Sequence, residues 1–258
     1  MNAFTKIIGT VLAAGSLAFM SAGIVAADEL DTIKEKGVMR IAMSGAYPPF
    51  NFVNEKNEVV GFDAAIGTEI AKRMGLETEI ITTAWDGIIG GLLANKYDAI
   101  VGSMSITEER AKVVDFVGPY YTTKRAIFTM AGSDITSVSQ LGDVTIGVTL
   151  GETHEQWARE QGYTVKTYKG LPELLLELEN GRVDAIIADS VAVILAAKES
   201  GRDLVAINDL ETEAIGAGIA IRQGNPELAK AMQAALDAMQ EDGTYVEIAN
   251  QWVGGDIR

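Results

Sequence analysis

Short apolar runs alternate along the chain with amphipathic stretches in which apolar residues recur at helical spacing. The apolar runs predict strands at 38–43, 77–82, 98–101, 126–130, 145–148, 164–168, 185–188, 204–207 and 216–221. The amphipathic stretches predict helices at 62–74, 85–94, 153–161, 172–180, 190–200, 226–240 and 244–253. Because strands and helices alternate, the pattern predicts an α/β fold with mostly parallel sheets flanked by helices.

One stretch of the chain resembles another. Residues 92–103 and 178–189 both place a helix end, a basic residue and the sequence Asp-Ala-Ile ahead of a buried strand. The first strand ends near Ser103 and the second near Asp189. Ligands of open parallel sheets bind beyond the carboxyl ends of strands, so the likeness predicts two similar lobes that face one crevice. A chance likeness between helix–turn–strand units is the alternative.

The first 27 residues have the composition of a secretory signal peptide. Lys6 is the only charged residue before Asp28, and an apolar run with small residues at its end separates the two. A membrane anchor is the alternative, since the run is about 20 residues long, but its glycines and serines disfavour one. The sequence has no Cys, which excludes a cysteine-linked lipid anchor and predicts a periplasmic protein without disulfides.

Charge and composition limit the partners. Nucleic acids and anionic membranes would repel a chain with a formal net charge of −15, which is expected to be a soluble monomer. A hydrophobic content of 48% is typical of a packed globular core. With no Cys and with His154 as the only His, we expect no metal site and no cofactor.

The sharpest chemistry follows the first of the two similar strands. Ser105 and Glu108 have the spacing of a capping box, which predicts a helix start whose free N–H groups favour an anion. The guanidinium of Arg110 could contact a carboxylate at two points there, and a surface pair with Glu108 is the alternative. Asp189 could accept hydrogen bonds from an ammonium group, or it could cap the next helix.

Motifs between residues 30 and 252 resemble, in order and spacing, those of the extracellular solute-binding proteins of family 3, which serve polar amino-acid ABC importers. They are Tyr47-Pro48-Pro49-Phe50, Gly61-Phe62-Asp63, Trp85-Asp86, Lys96-Tyr97-Asp98-Ala99-Ile100, Ser105-Ile106-Thr107-Glu108-Glu109-Arg110, Pro119-Tyr120-Tyr121, Asp184-Ala185 with Asp189, and Asp242-Gly243-Thr244-Tyr245. The resemblance implies the type II periplasmic binding fold, with two α/β lobes joined by a two-crossing hinge. Lobe 1 would comprise 28–121 and 217–258, and lobe 2 would comprise 122–216 with hinge segments at both ends, after a signal peptide at 1–27.

The resemblance also implies how a ligand is held. Arg110, with Ser105 and Thr153, would bind the α-carboxylate of an amino acid. Asp189, helped by Ser103, would bind its α-ammonium group.

Around the ligand's side chain, the resemblance places Tyr47 and Trp85 as aromatic walls, with Met104 and Thr149 close by. Ordinary core packing is the alternative for the two aromatic residues. Ser44 stands where family members with basic ligands often carry an acidic residue, which weakens the prediction of lysine or arginine as the ligand.

Glu152 and His154 are unusual for the family. Both could be solvated, which is the favoured interpretation for His154. Glu152 could instead meet a polar or cationic side chain of the ligand. The ligand's side chain therefore stays open between neutral polar, basic and non-proteinogenic types such as opines or ectoine-like solutes.

The function implied by the resemblance is binding without catalysis. The protein would capture an amino acid or similar zwitterion in the periplasm and deliver it to an inner-membrane ABC permease. One alternative is a periplasmic enzyme similar to cyclohexadienyl dehydratase, for which Glu152 is the only candidate acid or base. The other is a solute sensor that signals to a membrane receptor.

Overall fold

The computed structural model describes residues 28–258, so the predicted signal peptide at 1–27 lies outside the described residues. The helices within this range are α1 (Glu29–Lys36), α2 (Phe62–Arg73), α3 (Ile88–Leu93), α4 (Glu108–Ala111), α5 (Thr153–Glu160), α6 (Leu171–Glu179), α7 (Ser190–Ser200), α8 (Pro226–Glu241) and α9 (Thr244–Trp252). Each of these helices is too short or too polar to cross a membrane. The strands are β1 (Val38–Met43), β2 (Ala46–Tyr47), β3 (Asn51–Val53), β4 (Val59–Val60), β5 (Glu77–Thr82), β6 (Ala99–Ser105), β7 (Val114–Met130), β8 (Thr145–Thr149), β9 (Thr164–Tyr168), β10 (Ala185–Asp189), β11 (Leu204–Ile207) and β12 (Ala214–Arg222).

Two sets of three parallel strands form the fold, and one long strand connects them. β5, β1 and β6 are parallel neighbours in the first set, and β9, β8 and β10 are parallel neighbours in the second. β7 is 17 residues long, and it pairs antiparallel with β12 through its first part and with β10 and β11 through its second. The predicted α/β fold with two joined lobes is confirmed, whereas the exact lobe ranges stay a prediction.

Most predicted helices and strands appear close to their predicted bounds, but α1, the small sheet β2-β3-β4, the first part of β7 and a 3₁₀ helix at Val138–Asp143 were not predicted. The sequence pattern did not predict α1, because this helix is mostly polar and buries only Leu30 and Ile33. The small sheet β2-β3-β4 lies partly in the segment that we interpreted as a turn-rich loop. The predicted strand 126–130 is only the second part of β7, since Gly118 and Pro119 interrupt the apolar pattern of the first part.

Two aspartates explain the internal likeness of the sequence. The Asp98 carboxylate accepts a hydrogen bond from the backbone N–H of Arg40 at 2.9 Å, and the Asp98 N–H donates to the Arg40 carbonyl at 2.8 Å. Asp184 makes the same pair of bonds with Thr145, at 2.7 and 2.8 Å. Each aspartate therefore fixes the start of one parallel strand, β6 or β10, against its neighbour, β1 or β8.

The two aspartates should differ in their contribution to stability. Asp98 is buried, and it also accepts hydrogen bonds from Nε and Nη2 of Arg40 at 3.1 and 2.6 Å. Asp98→Ala would leave that guanidinium without its carboxylate, so we expect the free energy of unfolding to fall by about 3 kcal/mol. The control Asp184→Ala removes an exposed carboxylate with one backbone bond and should cost about 1 kcal/mol. Urea unfolding measures both, and equal losses would contradict a role for the ion pair.

Candidate functional site

A narrow cleft lies where the carboxyl ends of the strands in the two lobes face each other. Its walls are formed by Ser44, Ala46, Tyr47, Trp85, Gly102, Ser103, Ser105, Arg110, Thr149, Glu152, Thr153, His154, Lys169, Gly170 and Asp189. Nine of the ten residues predicted for the site are among them.

Met104 is the predicted residue that the structure does not bring to the cleft. Its side chain is fully buried and packs in a core cluster with Ile88, Leu92 and Tyr97. Successive side chains of a strand point to opposite faces, so the face of β6 that offers Ser103 to the cleft turns Met104 away from it.

Four of the predicted residues reach the cleft from the ends of strands and the starts of helices. Tyr47 ends β2 and Trp85 begins a short 3₁₀ helix, both in the first lobe. Thr149 ends β8 and Thr153 begins α5, both in the second lobe. Tyr47 also packs against Phe50 at 5.6 Å between ring centroids, so it is at once a core residue and a wall of the cleft.

Asp189 ends β10 and contacts both sides of the cleft. Its Oδ2 accepts a hydrogen bond from the Tyr47 hydroxyl at 2.7 Å, and its Oδ1 lies 3.3 Å from Nε2 of His154. Although Asp189 occupies the N-cap position of α7, its side chain makes no capping hydrogen bond. Carboxylate oxygens can each accept two hydrogen bonds, so Asp189 keeps room for a further donor in the cleft.

His154 is only 2% exposed, so the interpretation of it as a solvated residue is wrong. Nε of Arg125 donates to its Nδ1 at 3.3 Å, which leaves the proton of the neutral imidazole on Nε2. That N–H then points to Asp189. Arg125 comes from β7, where it lies over the ring of Trp157 at 4.8 Å, and no local sequence pattern connects it with α5.

The predicted capping box at Ser105 is wrong. Ser105 is the last residue of β6, which still pairs with β12 at this point, and α4 is a single turn. Thr107 caps α4 instead, and its hydroxyl accepts a hydrogen bond from the backbone N–H of Arg110 at 3.2 Å. The short helix therefore positions Arg110 rather than forming an anion site of its own.

The guanidinium of Arg110 lines the cleft opposite Asp189. Nη1 donates to the carbonyl of Ser105 at 3.1 Å, and Nη2 lies 3.5 Å from the carbonyl of Gly151 in the other lobe. The group also lies 5.7 Å from the centre of the Trp85 ring. Burial lowers the pKa of Arg110 from its usual value, but an arginine stays cationic. The alternative surface pair with Glu108 does not form, and within residues 28–258 Arg110 donates hydrogen bonds to carbonyl oxygens and makes no ion pair.

The buried carboxyl group of Asp63 orients the side chain of Ser103. Its hydroxyl donates to Asp63 at 2.8 Å, and the same carboxyl accepts hydrogen bonds from Tyr120 at 2.7 Å and from Asn51 at 2.6 Å. Burial raises the pKa of Asp63 to about 6, against the effect of these hydrogen bonds. Because the hydroxyl proton points to Asp63, the lone pairs of Ser103 are left to accept a hydrogen bond in the cleft.

Several wall residues were not predicted. Ser44 was interpreted only as a departure from the family pattern, and no motif pointed to Ala46 or Gly102. Lys169 and Gly170 directly follow β9, whose carboxyl end faces the cleft like those of β8 and β10. The rule that pointed to Ser103 and Asp189 would therefore have found this pair too, had it been applied to every parallel strand.

The sequence matches one family along nearly its whole described length. The family of bacterial extracellular solute-binding proteins, family 3, matches residues 39–255. The L-cystine-binding protein TcyJ of Escherichia coli (strain K12) is 32% identical over 237 residues, which is 90% of this chain and 89% of that protein. The arginine-binding periplasmic protein of Mannheimia haemolytica is 36% identical over 220 residues, or 83% of this chain and 91% of that protein.

Solved structures agree with the sequence match. An ancestral arginine-binding protein bound to arginine is 36% identical, with a TM-score of 0.79 over 84% of this chain and 99% of that one. The ancestral amino acid-binding protein AncCDT-1, a precursor of cyclohexadienyl dehydratase, is 34% identical, with a TM-score of 0.81 over 87% of this chain and 99% of that one. The protein therefore belongs to the bacterial extracellular solute-binding proteins of family 3.

Proposed function

We propose that the protein binds a free amino acid, or a similar zwitterion, in the cleft and delivers it to an inner-membrane ABC importer. The observation that carries this proposal is a pair of unlike charges on opposite sides of the cleft. Arg110 bonds to carbonyl oxygens, and Asp189 contacts a phenol and a neutral imidazole. Among residues 28–258, neither Arg110 nor Asp189 has a permanently charged partner within ion-pair distance, so a zwitterion could pair with both.

The ligand's α-carboxylate would bind Arg110 with Ser105 and Thr153. Thr153 is the first residue of α5, where free backbone N–H groups favour an anion. The α-ammonium group would donate to Asp189 and Ser103, whose acceptor lone pairs face the cleft. Charge-assisted hydrogen bonds contribute about 1.5–3 kcal/mol each, so two such contacts with aromatic burial are consistent with micromolar binding.

The relatives share one chemical feature of their ligands. Their names and structures refer to cystine and arginine, and an ancestral arginine-binding protein was also solved with glutamine. These molecules differ in their side chains and have in common the α-ammonium and α-carboxylate groups. A site built around Arg110 and Asp189 would recognise that common part.

Closure of the lobes would complete the site. We assign 28–121 with 217–258 to lobe 1 and 122–216 to lobe 2, connected by β7 and by the return into β12. Hydrogen bonds and close backbone packing bring the lobes together across the cleft, at the pairs Tyr47–Asp189, Arg110–Gly151, Asp86–Gly151 and Ala46–Gly170. A ligand that contacts both lobes would favour this closed state, which an importer would recognise.

Delivery of a ligand to an ABC importer would take place in the periplasm. Residues 1–27 would direct secretion and be removed, leaving a monomer in the periplasm that meets its ABC permease at the inner membrane. We infer binding rather than catalysis, because Glu152, the acid or base that the sequence suggested for an enzyme, has no hydrogen-bonded partner to position it among residues 28–258.

Binding of amino acids and of their truncated analogues tests the proposal. Native mass spectrometry of the purified protein should show a bound small molecule, and calorimetry should then give micromolar or tighter affinity for an α-amino acid. The decarboxylated analogue of that amino acid should bind at least about 100-fold more weakly, because Arg110 would remain unpaired. Equal affinity for the two compounds, or no binding of any α-amino acid, would refute the proposed function.

A further inference from the structure

Glu152 lines the cleft, but the proposed binding of the ligand's α-carboxylate and α-ammonium groups does not involve its carboxyl group. Glu152 occupies the N-cap position of α5 but makes no capping hydrogen bond. Within residues 28–258 its carboxyl has no hydrogen-bond or ion-pair partner, and its neighbours act on it only through their charges. An unpaired carboxylate in a partly dehydrated cleft is costly unless it is protonated or meets a cation.

The groups that face Glu152 come from both lobes. His154 follows it on α5, Asp189 approaches from β10 and Arg110 approaches from α4. Burial raises the pKa of Glu152 to about 7, and the charge of Asp189 acts in the same direction, whereas the charge of Arg110 opposes the shift. The phenols of Tyr47 and Tyr121 also lie near enough to be affected by the Glu152 charge, but burial keeps their pKa values well above the usual range.

We propose that Glu152 selects ligands with a second positive group, such as an ammonium or guanidinium, which enters the cleft in exchange for the Glu152 proton. This inference rests on the proposed function and names the class of ligand that the same cleft prefers. The α-carboxylate of any amino acid takes up the charge of Arg110, which then no longer stabilises an ionised Glu152. Only a cation on the ligand's side chain restores that stabilisation, so a neutral side chain leaves Glu152 protonated.

The exchange predicts opposite pH behaviour for two ligand classes. A cationic amino acid requires ionised Glu152, so its affinity rises with pH up to the pKa of the free protein and is constant above it. Between pH 6 and 8 calorimetry should show about a tenfold gain for arginine or lysine. Glutamine binding should not gain over the same range. Both ligand classes have the same α-groups and make the same contacts with the rest of the cleft, so the difference between the classes isolates Glu152.

The variant Glu152→Gln tests the inference further, because it keeps the shape of the protonated acid and removes its titration. It should bind glutamine like the wild type at pH 6, where Glu152 is protonated, but lose about tenfold or more in affinity for arginine or lysine at pH 8 and lose the pH dependence. The matched control is Glu155→Gln, one turn into α5, where the carboxylate pairs with Arg159 at 2.9 Å and accepts a hydrogen bond from the Gly151 N–H at 2.8 Å that a glutamine oxygen can keep. It should behave as the wild type.

Two kinds of failure can be told apart. Wild-type binding of arginine with the same affinity at pH 6 and 8, or unchanged arginine binding by Glu152→Gln, would overturn the role of Glu152 and leave the proposed function intact. Binding of glutamine alone would also overturn it. If no α-amino acid binds at either pH, the proposed function itself is wrong, and this inference is wrong with it.

Discussion

The Asp189→Asn variant is expected to bind its amino acid roughly 100- to 1,000-fold more weakly than the wild type. The substitution keeps the volume of the side chain but removes the negative charge that the α-ammonium group would pair with. In the wild type, Tyr47 contacts one carboxylate oxygen of Asp189 and His154 contacts the other. Asparagine keeps only one of these two acceptor oxygens. The ammonium group would then be buried without its counter-charge, and an uncompensated buried charge strongly weakens binding.

Two measurements separate this effect from damage to the fold. The melting temperature without ligand should change little, and Asp184→Asn, at the exposed start of the same strand, should leave affinity unchanged. The deaminated analogue of the ligand should bind Asp189→Asn at least as tightly as the wild type, because it has no ammonium group to pair with the carboxylate. Retention of full amino-acid affinity by Asp189→Asn would show that the α-ammonium group binds elsewhere.

Local sequence pattern was sufficient for much of the fold. Ranges such as 77–82, 164–168 and 190–200 coincide with β5, β9 and α7, because the alternation of a half-exposed edge strand and the helical spacing of buried residues are encoded in neighbouring residues. α1 failed for the opposite reason. Its two buried side chains give too weak a pattern, and its position depends on the contact of Asp28 with the first turn of α8, almost 200 residues away in sequence.

Site residues at the ends of strands could be predicted, and those held by distant contacts could not. Ser103 and Asp189 follow from the strand-end rule, and Arg110 was supported by its motif. The burial of His154 depends on Arg125, a residue of the connecting strand β7. Met104 points away from the cleft because its face of β6 packs against a core cluster. The motif around Met104 does not show which face of β6 is buried. The burial of His154 and the orientation of Met104 both depend on packing between helices and strands that are distant in sequence.

Gly170→Ala is expected to hold the lobes apart. A Cβ atom at this position would lie 2.6 Å from the carbonyl oxygen and 2.7 Å from the Cβ of Ala46 in the other lobe. The backbone of Gly170 is extended, with φ of −175°, so alanine fits the isolated second lobe without strain. The clash exists only when the lobes are closed, and the substitution therefore acts on closure rather than on folding.

The expected result is a loss of affinity of about 100-fold or more with little change in the melting temperature of the ligand-free protein. Small-angle X-ray scattering should show the wild type contracting when ligand is added, while Gly170→Ala keeps its open dimensions. Gly142→Ala, in the same lobe, is the matched control, since a Cβ there meets nothing within 4 Å. Normal contraction of Gly170→Ala would mean that the Ala46 backbone yields. Failure to contract would leave an importer without the closed form, so uptake should fall even where excess ligand restores binding.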